Sequence, residues 1–486
     1  MNRGSPNRWP LGAVGVVLVA CLGLAREAQA AVVRVPQTFS GIQAAVDAAQ
    51  DGDTVLVSRG TYTGGLVISG KAVTLASNYV ISGDTADVSQ TTIDGGSPIL
   101  AIQASAGAAT TIQGLTFING NYQIENYARR VNILNDGFLN GSGDQVSFEA
   151  AGGLVRDCLF DNAGDDGIDS DNASDPTIEH NTIRNAHDDG MELRLHSYTG
   201  PTLEIVIRAN VFSGCREDGI QLIDYAGASS RVFTIEGNVL ANNSKVGLAC
   251  MANGVSIENN AGAPLAEQVE VIGNTFSGNP YGLTGGDNML VLNNIFVGAA
   301  QIGLKRVAAS SLVTHNDFWS NGTDYTDSNV DVGATMLANP LLNANYDLQT
   351  GSPCIDAGAA SIVWNSSTVN APSYSGAAPD LGAREAPGLV SVGALAGPDG
   401  LVLAGVRPNP ARNEFAVAFT LPDAAPSQIE LMDLSGRRLL TRQLAGLGQG
   451  SHVMSFPEAR MLPAGVYLVR LSRGTRSLTT RVVVVR

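Results

Sequence analysis

The chain is poor in cysteine. The five it has, Cys21, Cys158, Cys215, Cys250 and Cys354, form no CxxC and no paired spacing, which speaks against both a zinc site and a disulfide framework. Aromatic residues make up 6% and charged residues 15% of the 486 positions. Small apolar residues, Asn and Gly dominate instead, a composition that suits many short strands and tight turns better than helical bundles. With 44% hydrophobic residues the chain has the material for a large core, so wholesale disorder is excluded. Positive charge is scarcest in the long central part: residues 31–388 carry 15 Lys and Arg against 38 Asp and Glu, a net of −23. That body lacks the clustered cations that nucleic-acid phosphates require, so no nucleic-acid partner is expected. Residues 389–486 reverse the balance, with 11 Arg against 6 acids. After residue 30 no segment holds 18 uninterrupted apolar residues, and an integral membrane protein is not expected.

The first thirty residues read differently. Arg3 and Arg8 precede an apolar run from Leu11 to Leu24, closed by Ala28-Gln29-Ala30. This is the order of a secretory signal peptide over residues 1–30, cleaved after Ala30. Leu18-Val19-Ala20-Cys21 leaves a lipoprotein-type signal open as an alternative.

Six segments then repeat one pattern: VRDCLFDNAGDDGID, IEHNTIRNAHDDGME, IRANVFSGCREDGIQ, IEGNVLANNSKVGLA, VIGNTFSGNPYGLT and VLNNIFVGAAQIGLK. One column holds Cys158, Asn181, Asn210, Asn238, Asn274 and Asn294, and a partial seventh copy adds Asn316. A second holds Gly167, Gly190, Gly219, Gly247, Gly282 and Gly303, followed by the aliphatic column Ile168, Met191, Ile220, Leu248, Leu283 and Leu304. No unit can bury its apolar face alone, so stacking is required. Equivalent residues of stacked coils then lie about 4.8 Å apart, and stacked Asn amides can bond their neighbours. The pattern resembles right-handed parallel β-helices of the pectate-lyase-like class. The stretch 35–77 resembles the opening of that class, with a capping helix from Ser40 to Gln50 and Ser40 as N-cap. Residues 339–358 resemble its closing coils, so the resemblance covers 31–388.

Residues 389–400 are Gly/Ala-rich and read as a linker. Beyond them, 401–486 alternate apolar and polar residues between turn signals, the pattern of a sandwich of about seven strands. Pro408-Asn409-Pro410, Asp433-Leu434-Ser435-Gly436-Arg437 and Leu462-Pro463-Ala464-Gly465-Val466-Tyr467 resemble Ig-like domains related to flagellar hook-capping proteins and type IX secretion sorting domains. The expected fold class is therefore all-β: a right-handed parallel β-helix solenoid followed by a small Ig-like β-sandwich. The resemblance implies secretion machinery as a partner and a secreted or outer-surface location. A monomer is expected.

Chemistry is concentrated where the Gly turns carry acids. In the first three units Asp165, Asp188 and Glu217 form one column, and Asp166, Asp189 and Asp218 the next. Asp169, Glu192 and Gln221 follow on the outward side of the strands, then Asp171, Arg194 and Ile223. An Asp before Gly is ordinary turn chemistry, but three stacked copies repel one another, by roughly 1 kcal/mol per pair in water. A bound cation or raised pKa values relieve that repulsion. Hard carboxylate oxygens suit Ca²⁺, with Asp165, Asp166, Asp169, Asp188, Asp189 and Glu192 as candidate ligands, and Asp166, Asp169, Asp189 and Glu192 preferred.

The coils also resemble calcium-dependent polysaccharide lyases, in which a Lys or Arg removes the C5 proton. That resemblance implies Arg194 and Lys245 as candidate catalytic groups, with His196, Asp171 and Asp218 touching a polysaccharide substrate. Glycoside hydrolysis by two carboxylates remains open on the same residues. The reading from a different class is a non-enzymatic surface or adhesion protein whose acids are structural. A groove with Arg194 or Lys245 directed at the acid cluster favours the enzyme; a shallow face with the basic groups splayed outward favours the structural protein.

Overall fold

The computed structural model describes residues 30–225, 227, 229–253, 260–386, 395–396 and 401–485, the last without 408, 410, 412–413, 424, 434–436, 445–446 and 475. Residues 1–29 of the expected signal peptide with Cys21, the linker apart from 395–396, and Pro408, Pro410 and Leu434-Ser435-Gly436 lie outside the described residues.

Alternating apolar residues three to five positions long are too short to form a sheet within one coil, and they pair instead with the next coil. Among the described residues this gives three parallel sheets of 12, 11 and 11 strands. The first runs from Val32–Val35 to Leu312–Thr314, the second from Leu66–Ile68 to Thr323–Thr326, and the third from Gly60–Thr63 to Asp317–Trp319. Together they wind into a right-handed β-helix.

Side-chain columns hold the coils in register. Cys158, Asn181, Asn210, Asn238, Asn274, Asn294 and Asn316 stack as the sequence implied. Asn181 donates its backbone N–H and its Nδ2 to Oδ1 of Asn210, at 2.9 and 3.0 Å. Asn210 repeats both bonds onto Asn238, and Asn238 onto Asn274. A second column, five residues after each member of the first, was not read from the sequence: Cys215 N–H bonds Asn243, Asn243 bonds Asn279, and Ala299 bonds Asn321. The Gly column exists because there is no room for a side chain. A Cβ at Gly167 would sit 2.7 Å from the Gly190 carbonyl oxygen, and one at Gly190 2.5 Å from that of Gly219. Inside, Phe117, Phe138 and Phe160 stack at 5.3 and 4.7 Å, and Phe276, Phe296 and Phe318 at 4.6 and 4.9 Å.

Two local expectations change. The cap helix spans Ile42–Ala48 and buries Ile42, Ala45 and Val46, but its N-cap is Gly41, and no side chain caps it. Residues 339–358 add no strand to the three sheets. They and the hairpin Ser361–Trp364/Ser367–Asn370 lie against the outside of the coil. Trp364 and Val369 cover Ile272, Leu290 and Leu292, and Leu348, Cys354 and Leu381 cover Ile295. The sequence puts these outward-facing aliphatics on the solvent side, and burying them is what draws the segment back.

Toward the C-terminus, the described residues form two four-stranded antiparallel sheets that enclose a separate core that includes Phe415, Phe419, Ile429, Leu431, Val469 and Leu471. Leu395–Ala396, inside the expected linker, already pairs with Val402–Leu403.

Candidate functional site on the second sheet

Strands Val146–Glu149, Ile168–Asp171, Met191–Leu195 and Ile220–Asp224 are neighbours in the second sheet. Their register sets Ser147, Asp169, Glu192 and Gln221 in one row, with Glu149 opposite Asp171 and Arg194 opposite Ile223. Alternation sends Ile168, Met191 and Ile220 into the core and this row to the outer face. The outer face is nevertheless closed here: Asp169 is 3% and Glu192 8% exposed.

Arg194 is what closes it. Its Nη1 lies 2.8 Å from Asp169 Oδ1 and 3.6 Å from Asp171 Oδ1, and its Nη2 pairs with Glu192. His196 Nε2 approaches Asp171 at 3.8 Å, and its ring packs on Tyr225 with centroids 4.0 Å apart. Ser147 donates to Asp169 at 3.4 Å and to Glu149 at 3.3 Å. Burial, only partly offset by Arg194, pushes Asp169 up to about 8 and Glu192 up to about 7. Burial works against the Arg194 cation, but Asp169, Glu192 and Asp171 outweigh it and hold the proton on. An arginine so surrounded suits charge neutralisation and orientation; the proton abstraction that the lyase resemblance implied for it needs a neutral base.

The turn acids serve a different purpose. Asp166 N–H donates to Asp144 Oδ1 at 3.1 Å, Asp189 to Asp166 at 2.9 Å, Asp218 to Asp189 at 2.7 Å and Val246 to Asp218 at 2.8 Å. These four carboxylates form a ladder along the coil axis, as the Asn side chains do elsewhere. Asp218 is fully buried, so the structure does not leave it open to a substrate. Burial and neighbouring acids raise Asp166 and Asp189 well above the ordinary carboxylate range, and burial takes Asp144 to about 6.

Asp165, Asp188, Glu217 and Lys245 follow one another at the turn through backbone bonds of 3.0–3.1 Å. Burial and Glu217 push Asp188 up to about 6. Lys245 Nζ pairs with Glu217 at 2.5 Å, so it belongs to the turn column, whereas Arg194 belongs to the strand row.

Three sets of carboxylates have ligand oxygens within 4.8 Å of one another around this face: Glu149, Asp169 and Asp171; Asp166, Asp169 and Glu192; and Asp165, Asp166 and Asp188. A fourth is Asp188, Asp189 and Glu217. Clustered acids of this kind are able to bind a metal. Glu149, Ser147 and Asp144 were missed in the sequence because their coil puts Gln145 in the Gly slot and Asp136 in the Asn slot. The nine-residue spacing from Asp136 to Gln145 was the available signal.

Comparison with known proteins agrees with the architecture. Residues 79–261, and again 198–296, match the family model of the right handed beta helix region, and residues 406–485 match that of the secretion system C-terminal sorting domain. The sorting domain marks the chain for type IX secretion to the cell surface or extracellular space. Among the described residues no helix is long and apolar enough to cross a membrane. No curated protein matches the sequence. Among solved structures, the A-module of an Azotobacter vinelandii mannuronan C-5 epimerase aligns over 62% of this chain and 91% of its own, at 17% identity and a TM-score of 0.43. A family 6 polysaccharide-lyase alginate lyase aligns over 77% of this chain and 55% of its own, at 14% identity and a TM-score of 0.31. A capsular polysaccharide depolymerase, the tailspike of the Acinetobacter baumannii bacteriophage Fri1, covers 93% of this chain and 77% of its own, at 10% identity and a TM-score of 0.28. At such similarity these structures carry no argument about activity.

Proposed function

We propose that this right-handed β-helix protein, closed by a secretion-system C-terminal sorting domain, binds and cleaves a polysaccharide on the outer face of its second sheet. The observation that carries the reading is the direction of Arg194, into Asp169, Asp171 and Glu192 and not out to solvent. In this reading Arg194 neutralises and orients an acidic sugar. Asp169, whose raised value leaves a proton available near neutral pH, acts as general acid on the leaving oxygen, and Glu192, partly ionised near pH 7, takes the proton from C5 in elimination or from the attacking water in hydrolysis. His196 and Tyr225 offer ring surface for a sugar beside Asp171.

Ca²⁺ fits the same face on the chemistry of its donors. Glu149, Asp169 and Asp171 supply hard oxygens close enough together for one ion, whose ligands lie 2.3–2.6 Å away. Of the preferred ligands, Asp166 and Asp189 already accept backbone N–H groups, and Asp169 and Glu192 already hold Arg194. Glu149 and Asp171 are the more accessible pair. A bound ion would neutralise a uronate carboxylate, and it competes with protons for these groups.

A non-enzymatic surface protein is the second reading, favoured by the use of Asp144, Asp166, Asp189 and Asp218 as rungs. Incubating the purified protein with a panel of acidic and neutral polysaccharides, with Ca²⁺ and with chelator, separates the two. Unsaturated ends identify a lyase, and new reducing ends without them a hydrolase. No product from any member leaves the structural reading.

A further inference from the structure

A cleft lies on the first sheet, away from Arg194. It measures about 560 Å³ and is lined by arginines Arg129, Arg130 and Arg208 around a floor of Gly152, Gly153 and Leu154. Register explains its shape. Gly152 pairs with Asp175, Leu154 with Thr177, and Glu179 with Arg208, so rows two residues apart spread the arginines along the strands, roughly 7 Å per row. The glycines keep the floor bare: a Cβ on Gly152 would lie 2.1 Å from Asp175 Oδ1, and one on Gly153 2.0 Å from the Val131 carbonyl oxygen.

Two of the arginines are held still. Arg129 bonds Asp175 Oδ1 and the Ala173 carbonyl, each at 3.0 Å, and Arg208 bonds Glu179 at 2.7 Å. Arg130 is exposed, with no ion pair among the described residues. Its charge reaches Asp175 in the same cleft only at longer range. Its planar fork matches a carboxylate bidentately. Between the arginine rows, Asn132 and Thr177 supply hydrogen-bonding groups and Leu154 an apolar patch, the mixture that sugar hydroxyls and a sugar ring face require. The volume falls within the range of ligand sites, about 300–1,000 Å³.

We propose that this cleft is a second binding site, for the carboxylate of an acidic saccharide. Arg130 supplies the bidentate contact, and Arg129 and Arg208 frame the sugar. The site does not depend on what the second sheet does.

Affinity electrophoresis of the full chain through gels carrying polygalacturonate, dextran sulfate or neutral dextran tests it. Wild type is expected to be retarded by polygalacturonate and not by dextran. Arg130→Ala, which removes no structural partner, should weaken that retardation at least fivefold, and Thr177→Glu should weaken it by repulsion. Arg194→Ala, which probes the other face, should leave the Arg130-dependent part in place, so the two sites fail or succeed separately. Equal retardation of wild type and Arg130→Ala overturns the proposal, as does no retardation of wild type. Loss of the Arg130-dependent retardation to charge-equivalent inorganic sulfate would indicate a general anion site and also overturns it.

Discussion

The backbone N–H of Asp189 donates to Oδ1 of Asp166 at 2.9 Å, and the two carboxylates, one coil apart, are both buried. A carboxylate rung supplies the acceptor that an Asn supplies elsewhere in this fold, but it lacks the amide donor and adds charge. Asn in the same place keeps the Oδ1 acceptor and removes the repulsion.

Stability should therefore fall as pH rises. Burial lifts Asp144 to about 6, Glu192 to about 7 and Asp169 to about 8, from unfolded values near 3.9 for Asp and 4.3 for Glu. Between those limits the folded chain binds the extra protons, so stability decreases with pH from about 4 through about 8. Melting temperatures measured from pH 5 to 8 should fall, and Asp166→Asn or Asp189→Asn should flatten the profile and raise the pH 8 value. A melting temperature that climbs over this range in wild type contradicts the buried ladder.

The Asn column carries the opposite expectation. Asn210→Ala leaves the backbone N–H of Asn181 without its acceptor, takes from Asn181 Nδ2 one of its two acceptors (the Val155 carbonyl remains), and deletes the Nδ2 bonds of residue 210 to the Ile178 carbonyl and to Asn238. Each buried group left unpaired costs about 1–3 kcal/mol. Urea unfolding should show a loss of several kcal/mol, against a small loss for Asn185→Ala at an exposed turn.

How much of this the sequence revealed depended on which residue types repeat. Asn181, Asn210 and Asn238 could be aligned because a Gly follows each at a fixed distance, and that Gly is fixed by carbonyl oxygens of the next coil. The coil carrying Ser147 and Glu149 was hidden because Gln145 substitutes for Gly there. Its Nε2 donates to the Phe138 and Asp161 carbonyls. Strand alternation put Asp169 and Glu192 on the outer face but not under cover, since cover comes from the long Arg194 side chain, whose direction has no periodic signature. The two roles of the acids, rungs at Asp166, Asp189 and Asp218 and ion-pair partners at Asp169 and Glu192, separated only once backbone N–H directions were known.

Deletion of 401–486 should leave the β-helix folded and abolish its delivery. The tail has its own core and its own sheets, and it matches the sorting domain. Circular dichroism of the truncated protein should retain the β signal, while fractionation of cells should find it absent from the surface and medium. A truncated chain delivered normally contradicts the sorting role.

Calcium should stabilise the folded protein, and more so at higher pH, because protons and Ca²⁺ compete for the same carboxylates. A hundredfold excess over Kd corresponds to roughly 2.7 kcal/mol. Asp169→Asn with Glu192→Gln should abolish the gain while leaving the calcium-free protein as stable or slightly more stable. Identical melts of wild type with Ca²⁺ and with chelator would remove the ion from the site.

The most direct measurement is the cleavage rate of Arg194→Ala against wild type on whichever polysaccharide wild type degrades. Without Arg194, Asp169 and Glu192 can remain protonated, so the variant is expected to fold, with a melt close to wild type at pH 6. Its rate should drop about 100-fold or more, the scale of losing one oriented charged or acid–base contributor, and Arg194→Lys should recover only part of it. A folded Arg194→Ala that cleaves as fast as wild type would contradict catalysis at this face.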